Sequence, residues 1–232
     1  MSHIAGFVPF TTIDYPDHLA AVVFFQGCPL KCPYCHNPDL QDFTKTGTQE
    51  WEDILIFLKR RRGLLDAVVL SGGEPLMQPD ITTKAKQAKA LGLKVGVHTS
   101  GAYPDQLKAL LPYIDWVGLD VKAPWKKYGY ISPMAGLPKA VQECVKMLID
   151  QGKAFEARTT ADPRFLTLED VETIATDLHK KGVKNFALQL YRTFPGDKHP
   201  PTDADIHAFQ KDTEFLGRLQ KLFPTFTLRG GE

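Results

Sequence analysis

Along this chain, apolar and polar positions switch repeatedly between two periodicities. Leu19 to Gln26 is a continuous apolar segment rich in Val and Phe, too short for a helix and closed by Gly27, which predicts a buried strand. From Thr48 onward Trp51, Ile54, Leu55 and Leu58 recur at helical spacing, and Lys59 to Arg62 followed by Gly63 supply a basic, glycine-terminated helix end. The alternation repeats as strand Ala67–Leu70, helix Ile81–Leu91, strand Leu93–Val97, helix Pro104–Leu111 and strand Trp116–Val121. After a loop rich in Pro, Trp and Tyr it continues as helix Lys139–Asp150, strand Ala154–Arg158, helix Leu168–Lys181, strand Val183–Leu190, helix Asp203–Leu222 and strand Phe226–Leu228. Strands separated by helices are joined by right-handed crossovers, which makes the sheet parallel and covers its outer face with helices. At 232 residues the chain falls short of the roughly 250 of an eight-unit barrel, so the pattern predicts an α/β fold of the open, partial (β/α)6-type TIM barrel. No long linker or low-complexity segment interrupts residues 1–232, which therefore read as one domain.

Composition narrows the function classes. Lys and Arg number 28 against 27 Asp and Glu, so the net charge of +1 gives no general attraction to nucleic acid or to an anionic membrane. The run Leu19–Phe25 is 7 residues long, where a membrane span needs about 20. Met1 to Pro9 lack the basic-then-apolar order of a signal peptide, so a cytoplasmic location with reduced thiols is expected. The chain's 4 cysteines are too few for a disulfide framework, and Cys28, Cys32 and Cys35 crowd into one short stretch.

In Gly27-Cys28-Pro29-Leu30-Lys31-Cys32-Pro33-Tyr34-Cys35-His36-Asn37, loop 27–37, a tight turn can bring three thiolates toward one centre. Soft sulfur ligands select iron–sulfur clusters, zinc or Cu(I). A structural zinc needs four protein ligands, and His36, directly after Cys35, is the available fourth; this leaves a non-catalytic zinc-bound interaction module as one reading. Cys144 falls inside a predicted amphipathic helix and reads as a small buried hydrophobe. Three cysteines on a four-iron cluster leave one iron open for chemistry.

The C-x3-C-x2-C loop, with an aromatic before its last cysteine and directly after a barrel strand, resembles the radical S-adenosylmethionine (SAM) superfamily. The stretch Phe10–Leu40, including Asp14-Tyr15-Pro16, Gln26-Gly27-Cys28 and Tyr34-Cys35-His36-Asn37-Pro38, is similar to the activating proteins of anaerobic ribonucleoside-triphosphate reductases and, more distantly, to pyruvate formate-lyase activating enzymes. The resemblance implies a 4Fe-4S cluster on Cys28, Cys32 and Cys35, with SAM chelating the free iron. It also implies a glycyl radical enzyme as partner, anaerobic ribonucleotide reductase foremost, and flavodoxin or ferredoxin as electron donor. A radical SAM enzyme acting on a small molecule is the rival expectation.

Ser71-Gly72-Gly73-Glu74-Pro75 reads either as a tight turn or as a ligand cradle whose glycines admit a close approach. The resemblance implies contact with the SAM amino group, with Glu74 as acceptor or as brace. His98-Thr99-Ser100-Gly101 suits hydrogen bonding at a barrel mouth, or is a Ser-Thr turn beside a surface histidine. Pyruvate formate-lyase activases carry at the His98 position an Asp that helps to bind a monovalent cation. Asp120 and Lys122 should share one strand face as a mutual pair or as ligand contacts. By resemblance both lie at SAM, and Arg158, at a strand end, turns toward the SAM carboxylate. Tyr191-Arg192 stand where those activases have Tyr-His, and Tyr34 and His36, flanking Cys35, are placed beside the cofactor. The basic run Lys59–Arg62 is a helix end matched to its dipole or a docking patch for an acidic donor.

Overall fold

The computed structural model describes residues 3–194 and 196–230; the remaining ends of the predicted 1–232 unit lie outside the described residues. Eight strands form one sheet in sequence order: β1 (Ile4–Thr11), β2 (Ala20–Phe25), β3 (Ala67–Gly72), β4 (Lys94–Thr99), β5 (Trp116–Asp120), β6 (Phe155–Ala161), β7 (Asn185–Leu190) and β8 (Thr225–Arg229). β1 runs antiparallel to β2, and every later neighbour is parallel. β1 and β8 are the two edges and do not pair, so the barrel is open. The helices are α1 (Trp51–Arg60), α2 (Ile81–Ala90), α3 (Pro104–Leu110), α4 (Leu137–Asp150), α5 (Leu168–Lys181), α6 (Asp203–Lys211) and α7 (Thr213–Leu222).

Alternation along the strands splits the apolar side chains into two layers. Ala21, Val23 and Phe25 of β2 and Val68 and Leu70 of β3 pack outward on the helices. Ala20, Val22, Ala67, Val69 and Trp116 face inward and close over Tyr15, which enters from the β1–β2 loop. The Tyr15 and Trp116 rings lie 5.2 Å apart, and a Cβ on Gly96 would stand 3.0 Å from the Tyr15 ring. That apolar plug fills the lower interior. Higher up, the register sets Phe24 beside Ser71, His98 beside Gly118, Asp120 beside Arg158 and Gln189 beside Arg229. The interior therefore turns polar toward the carboxyl ends of the strands, where barrel sites form.

Three expectations are corrected. β1, unrecognised in the sequence, is an edge strand that tolerates Pro9. The predicted helix Asp203–Leu222 is two helices broken at Asp212, whose carboxylate accepts the Phe215 N–H at 2.8 Å and caps α7. Arg158 is not at a strand end: β6 runs on to Ala161, and the guanidinium is buried inside the barrel. No helix among the described residues is long and apolar enough to cross a membrane.

Candidate functional site

The cysteine loop leaves β2 through Gly27, at φ +96°, whose N–H donates to Leu40 O at 2.8 Å while its carbonyl accepts the Glu74 N–H at 2.9 Å. The buried Gln26 side chain donates to Asp39 O and Asp42 O, both at 2.7 Å, fastening the returning segment. Lys31 takes a left-handed backbone, φ +52°, between Cys28 and Cys32, and Cys35 N–H closes a turn on Cys32 O.

Cys28, Cys32 and Cys35 line one cavity of about 230 Å³ together with Tyr34, His36, Gly72, Gly73, His98, Thr99, Ser100, Asp120, Lys122 and Arg158. Residues spread from position 28 to position 158 thus meet at the mouth of the barrel. Among the described residues, no three Cys, His, Asp or Glu side chains stand close enough together to enclose a single ion. Burial pushes the Cys28 thiol up to about 12 and raises Cys32 as well, with Lys122 pulling both back.

Several buried or half-buried polar groups surround the cavity. Among the described residues, Tyr34 Oη and His36 Nε2, flanking Cys35, are buried with no hydrogen-bond partner, and such orphans are uncommon in a closed interior. Lys122 donates to Asp120 at 2.8 Å. Burial alone would lower the Lys122 pKa, but Asp120, Cys32 and Tyr34 outweigh it and hold the ammonium charged. Arg158 donates through Nε to Glu156 at 2.9 Å; burial lowers its pKa, with Glu156 opposing. His98 is half-buried and faces the cavity rather than the outer surface. Its Nε2 lies 2.8 Å from Asp14 O, and burial, then Arg158, push its pKa well below the usual range.

Glu74 and Pro75, both buried, are not among the residues that line the cavity. Glu74 is fully enclosed and accepts from Leu76 N–H at 3.1 Å, Thr99 Oγ1 at 2.6 Å and Ser100 N–H at 2.9 Å, besides a short bond from Ser100 Oγ. It braces the β3 loop to the end of β4. The two glycines serve backbone packing: a Cβ on Gly72 would fall 2.1 Å from Phe25 N, and one on Gly73 2.2 Å from Gly27 O.

Tyr191 and Arg192 stand apart from the first cavity. Tyr191 packs edge-on to His36 at 5.7 Å and is held by Asp197, while Arg192 lines a second cavity of about 660 Å³. His36, Arg158 and Thr160 belong to the walls of both cavities. The basic run Lys59–Arg62 is the exposed end of α1 and its following turn. Cys144 is buried in α4, where its thiol donates to Gly101 O at 3.4 Å.

Sequence reasoning missed Glu156, which takes both Arg158 and Arg229, and the Asp162–Arg164–Asp197 ion pairs that pin the segment after β7. The spacing of Glu156 and Arg158 on one strand face repeats the Asp120/Lys122 pattern and was the available signal.

Residues 22–155 match the radical SAM superfamily, and the chain belongs to it. Members of this family use a 4Fe-4S cluster and SAM. A Methanocaldococcus jannaschii protein, provisionally named a glycyl-radical enzyme activating enzyme, is 34% identical over 236 residues, covering 95% of this chain and 92% of that one. The pyruvate formate-lyase-activating enzyme of Clostridium pasteurianum is 36% identical over 47% of this chain and 48% of its own. Among solved structures, Streptococcus suis SuiB bound to S-adenosylmethionine superposes with TM-score 0.71 at 17% identity over 88% of this chain. A radical SAM methyltransferase from Sphaerobacter thermophilus does so with TM-score 0.70 at 16% identity, covering 98% of this chain and 76% of that one. The chain spans about half the length of SuiB, 48%, and these two likenesses speak to the fold.

Proposed function

We propose that this protein is a radical SAM activase that installs a glycyl radical on anaerobic ribonucleoside-triphosphate reductase. The observation that carries the reading is the convergence of three thiols, an ion-paired lysine and a buried arginine on one cavity at the carboxyl ends of the strands.

The donor set fits the cofactors. Cys28, Cys32 and Cys35 would hold the 4Fe-4S cluster, three sulfurs leaving one iron for SAM. Once bound, cluster and SAM supply the reductive cleavage of the sulfonium that yields a 5'-deoxyadenosyl radical. Lys122 supplies positive charge beside thiols that burial otherwise keeps protonated. The Gly72-Gly73 backbone and Ser100 offer the amino group of SAM its acceptors, with Glu74 fixing Ser100. Arg158 takes the carboxylate, Asp120 and Thr99 line the nucleoside side, and the buried ring of Tyr34 excludes water around the site, while Tyr191 backs His36 from outside the cavity. Arg192 and the second cavity face the incoming partner segment. Flavodoxin or ferredoxin is the electron donor of this reading.

Support for an activase is the near full-length similarity to the Methanocaldococcus jannaschii protein. Support for the reductase as target is the resemblance of Phe10–Leu40 to its activating proteins. The similarity to pyruvate formate-lyase-activating enzymes favours a second reading, a different glycyl radical enzyme as target. The test mixes anaerobically reconstituted, reduced protein and SAM with either enzyme and looks by electron paramagnetic resonance for a glycine-centred doublet. A doublet on the reductase alone is expected; one on pyruvate formate-lyase alone moves the assignment. SAM cleavage with neither doublet favours a small-molecule substrate, and no cleavage ends the radical reading.

A further inference from the structure

Among the described residues, Glu156 is the one carboxylate that two arginines share inside the barrel. It stands on β6 two positions before Arg158, both pointing inward, and is 5% exposed. Oε1 accepts from Arg158 Nε at 2.9 Å and from Arg229 Nη1 at 2.7 Å; Oε2 accepts from Arg229 Nη2 at 2.9 Å. Arg158 is boxed on its other sides. Its guanidinium lies 4.9 Å from the Trp116 ring centre, and a Cβ on Gly118 would come within 2.7 Å of its Cζ.

Glu156 therefore holds Arg158 sideways, by Nε. Among the described residues, Nη1 and Nη2 meet no protein acceptor, and the side chain lines both cavities. The free edge of a guanidinium, two parallel N–H groups, matches a carboxylate in bidentate fashion. Two guanidiniums share this carboxylate, Arg158 buried and Arg229 partly exposed, with Asp120 beside Arg158 on the neighbouring strand, and an anion at the open edge of Arg158 adds to that charge compensation.

We propose that Glu156 is a positioning residue, which fixes the Arg158 guanidinium edge-on to the first cavity so that it receives the carboxylate of the bound nucleotide, with Arg229 anchoring Glu156 from the last strand. The proposal rests on the reading of that cavity as the SAM site.

The test is the affinity of the anaerobically reconstituted holoprotein for SAM and for decarboxylated SAM, by equilibrium dialysis, alongside the thermal midpoint. Glu156→Gln should weaken SAM about tenfold, as loss of a partner that orients a binding group does, and leave decarboxylated SAM unchanged. In Arg158→Lys the further change Glu156→Gln should add little, because the two side chains act as one unit. A role in stability alone would lower the thermal midpoint and leave the preference for SAM over its decarboxylated form intact; that result overturns the proposal. So does full multiplication of the two losses. If Glu156→Gln does not fold, Glu156→Asp, which keeps the charge and shortens the reach, should show a smaller loss confined to SAM, and an unchanged preference overturns the proposal. Wild-type protein that binds neither nucleotide overturns the reading of the site and the positioning role with it, whereas wild-type binding with an indifferent Glu156→Gln overturns the positioning role alone.

Discussion

Gly73 lacks a side chain because the backbone of the cysteine loop occupies the place where one would go. A Cβ there would lie 2.2 Å from Gly27 O and 2.8 Å from Leu40 O, and neither carbonyl can swing aside as a side chain could. The β3 loop and the cysteine loop are thus pressed together main chain to main chain, tied by the Glu74 N–H donating to Gly27 O at 2.9 Å. Gly73→Ala should separate them and destabilise the protein by about 3 kcal/mol, the upper range of overpacking costs, read from urea denaturation. Gly63→Ala is the control: its φ of +82° carries conformational strain, but nothing lies within 4 Å of its Cβ position. That change should cost about 1 kcal/mol. Equal losses at the two positions would mean that close approach is not what Gly73 provides.

Between elements, the inner connections are polar and specific. Asp115, just before β5, accepts the Val95 N–H at 2.9 Å and Lys89 Nζ at 2.7 Å, linking β4, β5 and α2. Burial alone would raise its pKa, yet the bonds from Lys89 and Val95 outweigh that and lower it. A carboxyl with a lowered folded pKa adds stability above its unfolded value and loses it as pH falls through the folded one. Asp115→Asn keeps the acceptor for Val95 and loses the ion pair, so it should cost about 1 kcal/mol at pH 7. The difference from wild type should shrink below about pH 4, measured by urea denaturation across pH. A constant difference down to acid conditions would assign the effect to packing. The same scale shows how much of the fold was legible. β2 to β8 and α1 to α5 follow from apolar runs and helical spacing, since buried parallel strands read as continuous apolar segments. β1 was hidden because Gly6 and Pro9 interrupt it and much of it is exposed, so its place comes from pairing with β2 rather than from its own pattern. The α6–α7 break was masked by apolar positions on both sides, Phe209 and Phe215, although Asp212 is a recognisable cap. Cys28, Cys32 and Cys35 could be read from spacing because one loop carries them, whereas Arg229 meets Glu156 only through side chains that reach across the folded sheet from β8 to β6. Arg229 had no local signal.

Across the whole molecule, stability and chemistry occupy opposite ends of the barrel. The lower interior is sealed by Tyr15, Trp116 and small apolar residues, while the upper interior is lined by Ser71, His98, Asp120, Arg158 and Thr160. The sheet also grades sideways. The residues of β2 are nearly all buried, whereas β8 is partly exposed throughout and, like β1, has an unpaired edge. Local opening requires fewer contacts to be broken at such edges, so exchange protection should follow the gradient. In cluster-free protein, amides of β3 to β5 should exchange slowest, and those of β8 and residues 8–11 of β1 markedly faster, by hydrogen exchange with mass spectrometry. Adding cluster and SAM should then slow exchange in residues 27–37, 72–75 and 98–101, the segments that surround the first cavity, because a ligand holding several loops lowers the population of every state in which one of them is open. Helices α6 and α7 make no wall of that cavity and should not change. Protection that rises evenly over the chain would mean that ligand binding is coupled to global folding, and the division between a rigid floor and an adaptable mouth would be wrong.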